Sequence, residues 1–115
     1  MIHKKEQMPV QIRPQMRGGK GQAQITTLFA PEEITSSVRM CAQIRLQPGC
    51  SIGLHEHATE DEIYYLLQGT GMVMQDAKAY PVQAGDAVLT GNGESHAIEN
   101  TGDEDLVLFA VVVTY

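Results

Sequence analysis

The chain has 115 residues, 43% of them hydrophobic and 19% charged, and carries a formal net charge of −6. This length and composition predict one folded domain over residues 1–115 and argue against extended disorder. The acidic balance disfavours nucleic acid and membranes as partners, because both attract clustered lysine and arginine, and the longest apolar run, residues 106–113, is too short to span a bilayer.

The N-terminal part of the chain is interpreted as a leader followed by a β-prone segment. Residues 1–21 carry charges but no apolar stretch of the kind that an export signal needs, so a cytoplasmic location is predicted. Residues 22–29 are suited to pairing with the sheet edge of a neighbouring copy, which supports a homodimer. At residues 30–34, a proline followed by two glutamates predicts a single helical turn.

The rest of the chain is a series of short predicted strands separated by Gly, Pro, Asn and Asp. Such closely spaced strands pair antiparallel, since each parallel pair needs a long crossover connection. Closing the sheet into a barrel or jelly roll removes exposed edges. The predicted fold class is therefore all-β, with strands at residues 40–46, 52–57, 63–67, 72–74, 79–83, 87–90, 96–99 and 106–114.

Three of the four histidines fall at predicted strand positions. His55 and His57 are two residues apart, so their imidazoles leave the same face and are able to reach one ion. His96 begins a later strand after a glycine-rich turn, whereas His3 lies in the leader and is interpreted as exposed. A folded barrel would bring the three strand histidines together.

A carboxylate follows the first two histidines at an odd spacing. Glu62 shares their face only if a turn interrupts the strand, and residues 58–61 supply a turn. The strand then restarts at Glu62 with its carboxylate facing the imidazoles. The neighbouring carboxylates of Glu56, Glu60 and Asp61 are interpreted as solvent-facing charge.

Two stretches of the chain, residues 49–69 and 85–100, resemble the paired motifs of the cupin family. The matching positions are Gly49, His55, His57, Glu62 and Gly69 in the first motif and Gly85, Gly93, His96 and Asn100 in the second. Gly91 stands where the family usually has proline. The resemblance implies a double-stranded antiparallel β-helix, or jelly-roll barrel, of six to eight strands that is commonly a homodimer. It also implies one metal ion held by His55, His57, Glu62 and His96.

The chemistry of these four side chains agrees with a metal centre. Three neutral imidazoles and one carboxylate leave a divalent ion with net positive charge and, if it is six-coordinate, two open positions. Mn, Fe, Ni, Co and Zn all accept such mixed ligation, so the identity of the one divalent transition metal ion stays open. A small-molecule substrate or ligand would occupy the open positions.

The function predicted from the resemblance is that of a metal-dependent small-molecule enzyme. The reaction classes are decarboxylation or oxidation of a small acid, dioxygenation, and isomerisation of a sugar derivative. The alternative is a non-catalytic small-molecule-binding or sensor protein in which the metal is structural. Fold alone does not choose between them.

Three side chains are candidates for substrate contacts. Gln43 and Arg45 lie on the more polar face of the strand at residues 40–46, and Tyr64 has the same strand parity as the ligand at position 62. Oxalate-degrading cupins resemble this chain but place an arginine three residues before the first histidine, where this chain has Ile52. Arg45 is the candidate for supplying that positive charge instead.

Overall fold

Ten β-strands and three single turns of 3₁₀ helix make up the computed structural model, which describes residues 1–115. The helical turns are Lys5–Gln7, Met16–Gly18 and Pro31–Glu33. The strands are β1 (Val10–Pro14), β2 (Gln22–Thr27), β3 (Val38–Leu46), β4 (Ser51–Glu56), β5 (Glu60–Gln68), β6 (Thr70–Gln75), β7 (Lys78–Gln83), β8 (Ala87–Thr90), β9 (Ser95–Asn100) and β10 (Leu106–Thr114).

Two sheets face each other in a jelly-roll barrel. One sheet has six strands in the order β1-β2-β3-β10-β5-β8, and the other has four in the order β4-β9-β6-β7. All neighbouring strands are antiparallel. The predicted all-β jelly roll is confirmed.

The hydrophobic core lies between the sheets and follows the period of two of each strand. Along β3, Ala42, Ile44 and Leu46 are buried, whereas Gln43 and Arg45 are half-buried on the opposite face. Burying each large aliphatic side chain of this kind stabilises the fold by about 1.5–3 kcal/mol. The alternation visible in the sequence therefore decides which face of β3 points into the barrel.

The N-terminal segment differs from the prediction in two respects. The predicted leader contains β1, which is one reason why the barrel has ten strands instead of six to eight. In addition, β2 pairs with β1 on one side and with β3 on the other, so it has no free edge to offer a neighbour. The proposed reason for dimerisation through residues 22–29 is therefore wrong.

The helical segments are short, as the sequence predicted. At Pro31–Glu33 the single turn is confirmed, and the carboxylate of Glu33 accepts the backbone N–H of Ala30 at 2.8 Å. No helix of the chain is both long enough and apolar enough to cross a membrane.

An irregularity in β4 sets the direction of several side chains near its end. Ile52 pairs with Ile98 of β9, but His55 pairs with His96. From one pair to the next, β4 therefore advances three residues while β9 advances two. This β-bulge lets Ile52 and His55 both face inwards, although their odd spacing would place them on opposite faces of a regular strand.

Candidate metal centre

Four side chains from three regions of the chain converge inside one end of the barrel. His55 ends β4 and lies opposite His96, which begins β9, while Glu62 projects from β5 of the other sheet. His57 follows β4, where its backbone N–H donates to the carbonyl of Glu94 at 2.9 Å. One donor atom from each of the four ligand side chains lies within 4.8 Å of all the others. The structure thus brings together the four predicted ligands.

The centre is compact and almost closed to solvent. Glu62 Oε1 lies 2.9 Å from His96 Nε2, 3.0 Å from His57 Nε2 and 3.8 Å from His55 Nε2. His96 Nε2 is also 3.0 Å from His57 Nε2 and 3.1 Å from His55 Nε2. The side chain of His55 is 10% exposed, more than the other three, so its side of the centre is the one open to a small ligand.

Hydrogen bonds on the far side of the rings determine where the imidazole protons lie. His55 Nδ1 is 2.7 Å from the carbonyl oxygen of Gly53, which only accepts, so Nδ1 carries the proton. His57 Nδ1 likewise donates to the carboxylate of Glu60 at 3.0 Å. In a neutral imidazole this leaves the lone pair on Nε2, and both Nε2 lone pairs point at the centre.

The third histidine is held in the same way. His96 Nδ1 is 2.8 Å from the hydroxyl of Thr90, a fully buried residue of β8. Burial lowers the pKa of His96, and the nearby carboxylate of Glu62 offsets this only partly, so the ring is neutral at neutral pH. His96 therefore also offers an uncharged ring nitrogen to the centre.

The carboxylate is ionised despite being buried. Burial raises the pKa of Glu62, but the imidazoles of His55 and His96 lower it by more, and the result is about 2. The 3.0 Å approach of the Glu62 oxygen to the His57 lone pair is then a contact between two acceptors. The cluster needs positive charge at its centre to be stable.

A divalent ion fits these donors. When each ligand is ~2.1 Å from an ion, adjacent octahedral ligands stand about 3.0 Å apart. Four of the donor–donor distances, 2.9, 3.0, 3.0 and 3.1 Å, have this value. Mixed nitrogen and oxygen ligation with no thiolate suits Mn, Fe, Ni, Co or Zn, the set predicted from the sequence. The centre is therefore a candidate site for one such ion.

One carboxylate that the sequence assigned to solvent belongs to this centre. The side chain of Glu60 is 16% exposed and holds His57 Nδ1 while receiving two hydrogen bonds from the guanidinium of Arg39, at 2.7 and 3.0 Å. Arg39 lowers the pKa of Glu60 although burial opposes it, so the carboxylate is ionised. The solvent-facing prediction is confirmed for Glu56, which is exposed, and is wrong for Glu60.

The prediction for Glu60 is wrong because β5 begins earlier than the sequence indicated. The turn is shorter than predicted, and β5 begins at Glu60 instead of at Glu62. Glu60 and Glu62 are two residues apart in the same strand, so they share a face. The shared parity of positions 60 and 62 was the sequence signal that could have placed Glu60 at the centre. Arg39 and Thr90 carried no such signal, because Arg39 meets Glu60 across the intervening strand β10 and Thr90 meets His96 across the two sheets.

The three predicted substrate contacts have different outcomes. Gln43 and Arg45 lie on the outer face of β3, away from the centre, and Arg45 pairs with Asp105 at 2.9 Å. The structure does not bring them to the ligands, because their parity in β3 is opposite to that of the core residues. Tyr64 is 2% exposed and stacks on the ring of His96, with centroids 5.0 Å apart and planes at 19°.

The ring of Tyr64 is the aromatic wall of the centre. Burial raises the pKa of Tyr64 well above its ordinary value, and the negative charge of Glu62 raises it further, so the phenol is protonated at neutral pH. The positive charge of Arg17 opposes this shift. A stacked, neutral ring fixes the orientation of His96 without competing for an ion.

The turn at Met16–Gly18 closes the barrel beside β4. It lies so near that a Cβ atom at Gly53 would clash with the carbonyl oxygen of Arg17. Ile52, the position where oxalate-degrading cupins carry arginine, is 1% exposed in the core. In this chain the position is therefore occupied by the aliphatic side chain of Ile52, which is almost fully buried, and not by a cation.

The glycine that replaces the usual proline has a local role. A Cβ atom at Gly91 would clash with the carboxylate of Asp61, and its backbone N–H donates to Glu94 at 3.2 Å. Proline has no N–H and a bulky ring, so the turn that presents His96 differs here from one that contains proline. His96 nevertheless lies beside the other three candidate ligands.

The family follows from a comparison with known sequences. Residues 42–112 match the family model described as the cupin domain. This chain belongs to the cupin family. The matched range contains both motif stretches, all four candidate ligands and the supporting residues Glu60 and Thr90.

Individual cupins are similar over nearly the whole chain. The oxalate-binding protein of Thermotoga maritima is 46% identical over 85% of this chain and 81% of its own length. A crystal structure described as a predicted oxalate decarboxylase from Thermotoga maritima covers 100% of both chains with a TM-score of 0.95 and 40% identity. The probable oxalate decarboxylase of Arthroderma benhamiae is 29% identical over 83% of this chain but only 24% of its own length.

Proposed function

We propose that this cupin holds one divalent transition metal ion on His55, His57, Glu62 and His96 and uses it to bind a small carboxylate such as oxalate. The observation that carries the metal is the convergence of imidazole lone pairs on an ionised, buried carboxylate. The support for oxalate is the 46% identity to an oxalate-binding protein.

Charge favours a dicarboxylate at this centre. Three neutral imidazoles and one carboxylate compensate only one of the two positive charges of a divalent ion. When bound, the ion supplies Lewis acidity and attracts the ligand's oxygens. The chain itself contributes the closed surroundings: Tyr64 and Ile52 exclude water on the inner side, and the partly exposed ring of His55 marks the side of entry.

The experiment that tests this proposal is calorimetric titration of oxalate into metal-loaded and metal-free protein. We expect oxalate to bind with one site per chain only in the loaded form, and acetate to bind more weakly because it carries one carboxylate. Equal binding of oxalate to both forms would contradict a metal-mediated site. If the protein binds one metal ion per chain but no oxalate, the metal centre stands and oxalate is not its ligand.

A second candidate function is catalysis, which the names of two relatives support. Decarboxylation of oxalate breaks its carbon–carbon bond and adds one proton, giving carbon dioxide and formate. We expect formate to accumulate in step with oxalate loss if this reaction occurs. Bound oxalate that is recovered unchanged would favour the non-catalytic alternative, in which the metal serves binding and structure.

The remaining predictions stay open. Dioxygenation and sugar isomerisation require different substrates and are tested by oxygen uptake and by isomer analysis with the same loaded protein. Gln43 and Arg45 are not proposed as substrate contacts, since they lie on the outer face of β3. Tyr64 is proposed to contact the ligand through its ring edge. The cytoplasmic location and the homodimer stay predictions.

A further inference from the structure

Two connections at the metal end of the barrel determine where the candidate ligands lie. Residues 57–59 join β4 to β5, and residues 91–94 join β8 to β9. We call them the β4–β5 turn and the β8–β9 turn. Each of the four candidate ligands lies in one of these turns or within three residues of it. A shift of either turn would therefore displace a ligand from the centre.

The β8–β9 turn is built from backbone that restricts its own position little. The carbonyl of Gly91 accepts the N–H of Glu94 at 3.0 Å, and the two residues between them, Asn92 and Gly93, have positive φ angles of 55° and 84°. This is the pattern of a type I′ turn. Two of its four residues are glycine, the residue with the greatest backbone freedom. The turn therefore needs contacts with the rest of the chain to hold it in place.

Backbone hydrogen bonds hold one side of the β8–β9 turn. The N–H of His57 donates to the carbonyl of Glu94 at 2.9 Å, and the N–H of Gly93 donates to the carbonyl of His57 at 2.9 Å. This reciprocal pair joins the two turns directly at a candidate ligand. The exchange rates of these two amide hydrogens therefore report whether the β8–β9 turn is docked.

Tyr115, which follows β10, holds the other side. Its backbone N–H donates to the carbonyl of Thr59 at 3.1 Å, so the residue is fixed on the β4–β5 turn. Its hydroxyl accepts the N–H of Asn92 at 3.3 Å and donates to Oδ1 of Asp61 at 3.1 Å. One residue thus connects the β4–β5 turn, the start of β5 and the β8–β9 turn.

Asp61 contacts the same turn a second time. A Cβ atom at Gly91 would clash with the carboxylate of Asp61, so this carboxylate lies directly against Gly91. By accepting the single proton of the Tyr115 hydroxyl, it leaves the hydroxyl lone pairs free to accept the N–H of Asn92. We call Tyr115 and Asp61 the latch. Neither residue belongs to the four candidate ligands.

We propose that the latch is a positioning device, which keeps the β8–β9 turn docked, and His96 in place, before a metal ion binds. Without an ion, the lone pairs of His57 and His96 and the charged carboxylate of Glu62 face one another, which favours separation of the ligands. Rigid surroundings oppose that separation. A ligand set that is already assembled binds an ion more tightly, because none of the binding free energy is used to assemble it. The inference rests on the metal centre proposed above.

The first test removes one hydroxyl. Tyr115→Phe keeps the ring but breaks both hydroxyl bonds of the latch. In metal-free protein we expect the amide hydrogens of His57 and Gly93 to exchange roughly 5-fold faster. We expect metal affinity, measured by competition with a chelator, to fall about 5-fold. The spectrum of the Co²⁺-loaded variant should equal that of the wild type, because the bound ion docks the turn again.

The matched control is Tyr65→Phe, the same change at a tyrosine of β5 that is 46% exposed. It should leave both the exchange rates and the metal affinity at wild-type values. Unchanged exchange and affinity in Tyr115→Phe, or equal losses in Tyr65→Phe, would overturn the latch. A lower free energy of unfolding in urea with unchanged metal affinity would assign Tyr115 to stability alone and would also overturn the proposal.

The second test separates the hydrogen bond of Asp61 from its charge. Asp61→Asn removes the charge but keeps an oxygen that accepts the Tyr115 hydroxyl, so its metal affinity should stay near that of the wild type. Asp61→Ala should match Tyr115→Phe, and the double variant should bind metal no more weakly than either single one, since both break the same contact. Additive losses in the double variant would overturn the pairing of the two residues.

These results are distinguishable from failure of the metal centre itself. If the wild type binds no metal, the proposed function fails, whereas amide exchange in the metal-free variants still confirms or rejects the docking of the β8–β9 turn by the latch. If the wild type binds one ion per chain and Tyr115→Phe binds it equally tightly, the metal centre stands and the latch does not position it.

Discussion

The two ends of β9 each bury a polar side chain, but the two side chains are satisfied in different ways. At one end, Asn100 donates to the carbonyl oxygens of Leu46 and Glu104, both at 2.8 Å, and accepts the N–H of Gly102 at 2.9 Å. At the other end, His96 meets two imidazole nitrogens and a carboxylate at about 3 Å.

The difference separates a structural polar group from a functional one. Every polar atom of the Asn100 side chain has a complementary partner within the chain, so this end of β9 needs nothing further. Around His96, acceptors face acceptors, and the arrangement becomes favourable only when positive charge enters. Two buried polar residues of one strand and one motif therefore have separate roles.

The largest expected effect is the loss of metal in His96→Ala. Removing this ligand leaves three donors, and we expect the metal content of purified protein to fall from about one ion per chain to nearly none. Elemental analysis measures this directly. Metal content equal to that of the wild type would show that the four-ligand centre is wrong.

Asn100→Leu should have the opposite pattern, in which stability falls and metal content does not. It removes the hydrogen bonds to the buried carbonyl of Leu46, to the part-buried carbonyl of Glu104 and from the N–H of Gly102, at a cost of about 3 kcal/mol in the free energy of unfolding. We expect urea melts of metal-free protein to show this loss while the metal stoichiometry stays that of the wild type. A parallel loss of metal would mean that the two ends of β9 are not independent.

The third prediction concerns the carboxylate behind His57. Glu60→Gln should lower metal affinity by about 10–100-fold, because the amide supports the Nδ1–H of His57 less well than a carboxylate does. The matched control is Glu56→Gln, which makes the same change at an exposed residue next to a ligand. Competition with a chelator of known affinity compares the two. Equal affinities would assign Glu60 to stability alone.

The smallest effect is expected for Thr90→Val, which keeps the shape of a fully buried side chain but removes the hydroxyl beside His96 Nδ1. We expect about a 10-fold loss in metal affinity, near the lower limit for such supporting groups. The Co²⁺-loaded variant should also show a shifted absorption spectrum if the imidazole turns. An unchanged spectrum and affinity would mean that stacking on Tyr64 is enough to hold the ring.

The sequence by itself determined the fold class and singled out the four candidate ligands that converge in the structure. Period-two alternation and short turns allow only an antiparallel barrel, and the spacing of His55 and His57 is a local property of a strand. The parity of Tyr64 with Glu62 was likewise correct, since three consecutive residues in a regular strand leave little freedom.

Only the tertiary structure decided what supports and surrounds those ligands. The bulge in β4 depends on pairing with β9, and it places Ile52 in the core against strand parity. Arg39 reaches Glu60 only because β3 and β5 lie on either side of β10, and Thr90 reaches His96 only because the two sheets face each other. The position of β2 between two partners also depended on β1, a short and fully exposed strand. Local periodicity can be read directly from the amino-acid sequence, whereas the pairing of strands that are distant in sequence is decided only when the hydrophobic core is buried.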